Sequence, residues 1–426
     1  MTSTPLAERL AATTPATIAD VHAAFRKWLG AEYDLGALDA VLAAAAVEQL
    51  DGDPVWLLAV SGSGNAKTET VLALAGVGAN ITSTITSEGA LLSASSAKER
   101  TKDAHGGLLR KMGARGILVV KDVTSILSMN RDLRTTVLGA LREVYDGYWE
   151  RNVGTDGGRT LNWQGRLVLI GAVTTAYDTA HSVIAAMGDR FALVRMDSTT
   201  GRMEAGRQAL RNVGHEVPMR KELASVTGRL LKNLNLELAT LTDPDMETLL
   251  DAANLVTLSR TAVERDYRGD PIEAHAPEMP TRFAKQLGQI VRGALCCGHA
   301  HDHALTTALR VARDSIPPLR AAILADIAEH PRATCSEVVK RLQRPRTTID
   351  RALQELHLIG LLHIDEAPAG SFDKSWHYEL ADGVSPVLIK SLMTLDPRGR
   401  DAEAEPESEP PAEPEQIDMW AERPPF

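Results

Sequence analysis

Residues 55–71 read VWLLAVSGSGNAKTETV and join an apolar run, a loop rich in glycine and serine, and a second apolar run. The first run, Val55 to Val60, has the length of a buried strand. The loop that follows leads through Lys67 and Thr68 into residues suited to a helix. A strand, a glycine loop and a helix in this order are typical of an α/β fold.

The loop comes close to the P-loop pattern G-x-x-x-x-G-K-[ST], in which backbone N–H groups, a lysine and a hydroxyl hold phosphates and Mg²⁺. Ser61 and Ala66 occupy the two glycine positions, so the pattern is incomplete. The alternative is a Gly/Ser turn that happens to precede a lysine. We predict a phosphate-binding segment made of Ser61, Gly62, Ser63, Gly64, Asn65, Ala66, Lys67, Thr68 and Glu69.

Two further apolar runs end in polar residues. Gly116–Val120 leads into Lys121 and Asp122, and Leu167–Val173 leads into Thr174. An acidic residue at a strand end holds Mg²⁺ in a Walker B segment, so Asp122 is either a metal ligand beside Thr68 or a stand-in for the catalytic base. Thr174 would orient the attacking water. An ordinary solvated strand end is the alternative for each.

Two arginines are candidates for contact with a nucleotide. Arg190, in the sequence Gly188-Asp189-Arg190-Phe191, is placed to reach a neighbouring subunit's γ-phosphate as an arginine finger. The alternative for Arg190 is a surface salt bridge. Arg282 opens a predicted helix and is a candidate second nucleotide sensor, although an isolated helix arginine is usually solvated. Glu69 and Glu143 are candidate bases.

Residues 319–381 have the pattern of a winged helix. One helix is predicted at Leu319–Glu329, and a second is capped by Thr334 or Ser336. A third helix, Thr347–Leu356, precedes two predicted strands at 361–364 and 376–380. The third helix would enter the major groove of DNA. The predicted DNA contacts are Arg344, Arg346, Thr347, Thr348 and Arg351, and a role in protein contacts is the alternative.

Charge is distributed unevenly along the chain. The net charge is −10, yet residues 400–426 hold nine acidic and two basic residues. Residues 332–351 hold six basic and two acidic residues, which favours DNA binding by the winged helix. The acidic tail from residue 396 is predicted to be disordered. It is a solvating segment or a docking peptide for a replication partner.

No apolar run approaches the ~20 residues of a membrane span, and no membrane partner is predicted. The three cysteines form no CxxC pair, which argues against a disulfide framework and favours a location in the reducing cytoplasm. Residues 296–303 read CCGHAHDH but lack the ligand spacing of a zinc motif. We predict that these cysteines end a buried helix and that the histidines line an exposed loop.

Taken together, the segments resemble the AAA+ ATP-binding proteins of prophages and mobile elements, which are distantly similar to the minichromosome-maintenance helicases. The resemblance runs from about Ile18 to Ile323. It is carried by GDPVWL at 52–57, KTE at 67–69, KDVTSIL at 121–127, LREVYDG at 141–147, GDRF at 188–191 and DSIPP at 314–318.

The resemblance implies ATP and Mg²⁺ as ligands, a homo-oligomeric ring or partial ring, and a role in DNA replication or mobilisation. It implies phosphate contacts for Lys67 and Thr68, the Walker B role for Asp122 and the finger role for Arg190. Thr174 and Arg282 would be the first and second sensors. A nucleotide-switched DNA-binding regulator with little hydrolysis is the alternative, favoured by Ser61, Ala66 and the lone acid Asp122.

The predicted fold is therefore an α/β P-loop NTPase of the AAA+ type with a parallel sheet, a helical lid and a C-terminal winged helix. The predicted divisions are an N-terminal helical segment (1–50), the ATPase core (51–198), the lid (199–316), the winged helix (317–382) and the acidic tail (396–426).

Overall fold

The structure is a computed structural model that describes residues 14–94, 106–154, 158–186, 189–365 and 376–395. The predicted acidic tail and Gly188 lie outside the described residues. The described chain begins with helices α1 (Ile18–Leu29) and α2 (Leu35–Ala46).

A parallel five-stranded sheet follows these helices, with the strand order β2–β3–β6–β1–β7. The predicted α/β class with a parallel sheet is therefore confirmed. A separate antiparallel hairpin, β4–β5, precedes β6. The elements are β1 (Trp56–Val60), α3 (Lys67–Leu72), β2 (Asn80–Thr82), α4 (Glu88–Leu91), α5 (Leu108–Met112), β3 (Arg115–Val120), α6 (Thr124–Leu127), α7 (Arg131–Tyr145), β4 (Tyr148–Val153), β5 (Arg159–Gln164), β6 (Arg166–Val173), α8 (Ala176–Ala186) and β7 (Ala192–Arg195).

The central strands are apolar because both faces of the sheet are covered. All five residues of β1 are buried, and the indole of Trp56 donates a hydrogen bond to the Leu167 carbonyl at 2.8 Å. Since β1, β3 and β6 are parallel neighbours, their carboxyl ends meet at one edge of the sheet. We call this the carboxyl edge.

The next region is mainly helical and packs against α1 and α2. Its elements are α9 (Arg202–Arg211), α10 (Glu216–Leu231), α11 (Asp243–Ser259), β8 (Val263–Arg265), β9 (Pro271–Ala274), α12 (Thr281–Cys296) and α13 (His301–Ser315). Helices α2 and α12 cross closely, since a Cβ at Gly293 would lie 2.2 Å from the Ala43 carbonyl oxygen. Strands β8 and β9 of this region form an antiparallel hairpin. Within the described ranges, no helix is both long and apolar enough to cross a membrane.

The C-terminal unit combines helices with a three-stranded antiparallel sheet in the order β10–β12–β11. Thr334 caps its second helix and exchanges hydrogen bonds with Glu337 in a capping box. The elements are α14 (Pro318–Glu329), β10 (Ala333–Thr334), α15 (Cys335–Leu342), α16 (Arg346–Leu358), β11 (Leu362–Asp365), β12 (His377–Leu380) and α17 (Pro386–Thr394).

A buried ion pair ties α2 to α13. Both Arg310 Nη atoms lie 2.7 Å from the Asp34 carboxylate, and both residues are buried. We expect Asp34→Ala to lower the free energy of unfolding by about 3–5 kcal/mol, because the buried Arg310 guanidinium loses its two-point partner and keeps only the longer ion pair with Asp314 at 3.5 Å. Chemical denaturation measures this. Glu204→Ala, which breaks an exposed pair with Arg207, should cost less than about 1 kcal/mol. Equal losses in the two variants would contradict this interpretation.

Candidate functional site

The loop between β1 and α3 lies at the carboxyl edge and holds two left-handed residues. Gly64 has φ +83° and Ala66 has φ +50°. A left-handed alanine costs roughly 1–2 kcal/mol relative to glycine, which explains why the P-loop pattern has glycine at this position. Ser61 does not have a positive φ, so its departure from the pattern brings no such strain.

Lys67 folds back over this loop. Its Nζ donates hydrogen bonds to the carbonyl oxygens of Gly62 (2.8 Å) and Ser61 (3.3 Å). Burial lowers the pKa of Lys67, and the negative charge of Asp122 opposes that change. The ammonium group therefore sits at the concave side of the loop within electrostatic reach of Asp122.

Asp122 and Thr174 follow the two neighbouring strands at the same edge. Asp122 Oδ1 accepts a hydrogen bond from the Thr124 amide at 3.0 Å, and the residue is exposed. Thr124 Oγ1 accepts from the Thr174 amide at 3.0 Å and donates to Thr174 Oγ1 at 3.2 Å. Lys67, Asp122 and Thr174, which are far apart in sequence, are therefore brought together.

The first residues of α3 face two different regions, the carboxyl edge and the helical region. Thr68 is exposed beside the loop. Glu69 forms a two-point ion pair with Arg220 of α10 at 2.7 and 2.9 Å. The Asn65 amide donates to the Asp197 carbonyl at 2.8 Å and links the loop to the segment after β7.

A cavity of about 300 Å³ opens beside the loop. Its walls come from the turn between α1 and α2, the loop itself, the segment after β7, and helices α9 and α10. Lining residues include Trp28, Tyr33, Asn65, Ala66, Asp197 and Gln208. This volume is at the lower end for small-molecule pockets. Sequence reasoning missed the cavity because its walls come from five separate segments.

Arg190 and Arg282 lie at the opposite, amino edge of the sheet. The Arg190 guanidinium contacts Asp146 at 3.3 Å and lies over the Tyr145 ring, which packs against Trp56 at the start of β1. Burial and the neighbouring Arg282 lower the pKa of Arg190. The five residues of β1 separate the two edges by about 15 Å.

Arg282 stays at this amino edge because its Nη1 contacts the Asp189 carbonyl oxygen at 3.3 Å and Glu278 at 3.0 Å. The two arginines are neighbours of each other, and the structure does not bring either to the chain's own loop. Glu143, near the end of α7, is exposed and lies close to this edge as well.

The predicted DNA contacts divide into two groups. Arg344, Arg346, Thr347 and Thr348 are exposed at the turn before α16 and at its first residues. Arg351, however, is paired with Asp270 at 3.0 Å and with the Arg268 carbonyl at 2.6 Å, both in the β8–β9 hairpin. This hairpin contact was not visible in the sequence because more than eighty residues separate the partners.

The predicted exposed histidine loop after α12 is wrong for two of its three histidines. Cys296 and Cys297 are buried at the end of α12, as the sequence indicates. His301 is 46% exposed, whereas the side chains of His299 and His303 are 6% and 16% exposed and face Asp39. Their contacts with Asp39 explain the difference.

Comparison with known proteins gives little. The sequence matches no family profile, and no curated protein is significantly similar to it. Two solved structures, the apo structure and the A-form apo structure of the NrS-1 C-terminal region, are 13% identical and cover 89% of this chain and 79% of theirs. Their TM-scores are 0.28 and 0.24, and overlap this weak carries no argument about fold or function.

Proposed function

We propose that the chain is an ATP-dependent, DNA-acting AAA+ ATPase, a helicase, loader or remodeller in the replication of a phage or mobile element. The observation that carries this proposal is the convergence of Lys67, Asp122 and Thr174 at the carboxyl edge of a parallel sheet. In open α/β sheets, ligands bind outside the carboxyl ends of the strands. A lysine, a carboxylate and a hydroxyl there suit a nucleotide phosphate chain.

A nucleotide phosphate chain would bind the loop without a change in the loop's backbone conformation. Lys67 Nζ donates to two loop carbonyls, and β- and γ-phosphate oxygens would replace these acceptors. Thr68 and Asp122 would hold Mg²⁺, which supplies neutralisation of the developing phosphate charge. Thr174, held by Thr124, would orient the attacking water.

The neighbouring cavity would take the nucleoside. It adjoins Gly64, Asn65 and Ala66, so a phosphate chain in the loop leads directly into it. Trp28 and Tyr33 supply aromatic surface for a base, and Asn65 and Gln208 supply amide groups. An apolar wall with a few polar groups is the usual character of such pockets.

The two arginines at the amino edge support an oligomer. Since Arg190 and Arg282 lie at the amino edge, and β1 separates this edge from the one that holds the chain's own loop by about 15 Å, they would act on the nucleotide of a neighbouring subunit. Asp146, the partner of Arg190, is 53% exposed, whereas the Arg190 side chain is 11% exposed, and a phosphate would take the place of the Asp146 carboxylate. Head-to-tail contact of this kind generates a ring when the rotation closes.

The C-terminal unit would read DNA as a winged helix. Its order of three helices and a small antiparallel sheet supports this assignment, with α16 as the helix for the major groove. The exposed side chains of Arg344, Arg346, Thr347 and Thr348 are available to phosphates and base edges. Arg351 would join them after leaving Asp270.

Removing the two exposed arginines should weaken DNA binding. We expect Arg344→Ala/Arg346→Ala to lower affinity for duplex DNA and to reduce the slope of log K against log salt by about 2, one unit for each lost phosphate contact. Fluorescence anisotropy at several salt concentrations measures this. Arg207→Ala/Arg211→Ala also removes two positive charges, but from α9, and should leave the slope unchanged. The same slope in both variants would exclude this DNA surface.

A nucleotide-switched DNA-binding regulator is the second candidate, and the left-handed Ala66 favours it. Lys121 also stands where a second acidic residue would accompany Asp122. Strand separation of a forked duplex distinguishes the two candidates. ATP-dependent separation supports the motor, whereas ATP-dependent changes in DNA affinity without separation or turnover support the regulator.

A further inference from the structure

Three histidines surround one buried carboxylate away from the carboxyl edge. His22 Nε2 lies 2.6 Å from Asp39 Oδ1, and His303 Nε2 lies 2.9 Å from Asp39 Oδ2. His299 Nε2 lies 3.4 Å from Oδ1. Asp39 is 1% exposed. The four residues come from α1, α2, α13 and the turn before α13, so the fold alone assembles the cluster.

The arrangement is not that of an ordinary histidine–aspartate pair. The same ring nitrogen, Nε2, of each of three imidazoles points at one carboxylate. The ligand atoms of His22, Asp39 and His299 all lie within 4.8 Å of one another. Moreover, His299 Nε2 is buried without a hydrogen-bond partner among the described residues. A buried polar atom of this kind requires an explanation, and a ligand that His299 shares with His22 and Asp39 supplies one.

We propose that His22, Asp39 and His299 bind one divalent transition metal ion, best matched by Zn²⁺. His303, whose ring stacks parallel to that of His299 with centroids 4.4 Å apart, would hold the second carboxylate oxygen of Asp39. Imidazole nitrogens and a carboxylate oxygen are ligands that zinc accepts, with bonds of about 2.0–2.2 Å. Tetrahedral geometry at these bond lengths separates ligand atoms by about 3.3 Å, and the three ligand atoms here lie within 4.8 Å of one another. Mg²⁺ and Ca²⁺ prefer oxygen ligands and do not suit this set.

The site would be structural rather than catalytic. Burial carries this assignment, since three protein ligands alone would leave a fourth position for water. The Asp39 and His299 side chains are 1% and 6% exposed, so little room remains for substrate. The metal would join α1 and α2 to the helical region at α13, next to the Arg310–Asp34 ion pair. The ligands span residues 22 to 299, so no local sequence motif indicates them.

Cobalt provides a test on the full-length chain. The protein is stripped with a chelator, dialysed and titrated with Co²⁺, since four-coordinate Co²⁺ gives strong visible absorption. We expect one equivalent of four-coordinate Co²⁺ that Zn²⁺ displaces. His22→Ala and His299→Ala should each lower the metal affinity at least about 100-fold.

His301→Ala is the matched control, because His301 belongs to the same turn but contacts Asp245 at 3.0 Å. It should retain the full signal. Asp122→Asn should retain it as well, which separates this site from the proposed Mg²⁺ site. Zn²⁺ should raise the melting temperature of the native chain and of His301→Ala, but not of His22→Ala. His22 lies on a different helix from His299, so His22→Ala still tests the site if His299→Ala fails to fold. Absence of the four-coordinate signal in the native chain, or its retention in both ligand variants, would overturn the proposal.

Discussion

Replacing Lys67 with alanine is expected to raise the dissociation constant for Mg-ATP by about 100-fold and to abolish hydrolysis. The substitution removes two charge-assisted hydrogen bonds to phosphate, together worth about 3 kcal/mol, or about a hundredfold in affinity. Titration with a fluorescent ATP analogue measures the change. Lys67→Arg keeps the charge but replaces the compact ammonium group with a larger guanidinium. Its dissociation constant should fall between those of the native chain and Lys67→Ala.

Lys232→Ala is the control, because it removes one positive charge from the exposed end of α10. Its affinity for ATP should match that of the native chain. An unchanged dissociation constant for Lys67→Ala, with the variant folded, would place the nucleotide elsewhere.

Replacing Arg190 with alanine is expected to lower turnover by about 1,000-fold while leaving ATP affinity nearly unchanged. An arginine finger stabilises charge in the transition state and contributes a factor of this size. Affinity persists because Arg190 lies at the amino edge, away from the chain's own loop. Steady-state turnover and equilibrium binding, measured on the same preparation, separate the two effects.

Mixing the two variants tests action between subunits. A Lys67→Ala subunit retains its Arg190, and an Arg190→Ala subunit retains its loop, so mixed oligomers should recover part of the turnover. Arg142→Ala, an exposed arginine near the same edge, is the control and should remain active alone. If mixing restores nothing although mixed oligomers form, Arg190 does not act on a neighbouring nucleotide.

Much of the central sheet could be predicted because its strands are buried on both faces. The apolar runs that predicted β1, β3 and β6 end at the residues where these strands end. The sheet strands β2 and β7 and the β4–β5 hairpin were not predicted. Strand β2 has only three residues, two of them polar, and β7 has only four. The β4–β5 hairpin alternates buried and exposed residues outside the main sheet.

The candidate site could be predicted where its residues belong to the loop or directly follow a predicted strand. The loop and the strand ends carry recognisable residues in a recognisable order. The pairing of Arg351 with Asp270, the pairing of Glu69 with Arg220 and the cluster around Asp39 depend on contacts between distant segments. Ala66 was predicted in part. The sequence shows that alanine replaces the glycine of the pattern, but only the backbone shows the left-handed conformation that makes alanine costly there.

The most direct test of the proposed function is the rate of ATP hydrolysis by the native chain with and without DNA. The proposed function predicts measurable turnover that rises when DNA is added, because DNA bound by the C-terminal unit would be coupled to the proposed nucleotide site of the same chain. Binding of ATP without turnover under either condition would contradict it, and would favour the nucleotide-switched DNA-binding regulator instead.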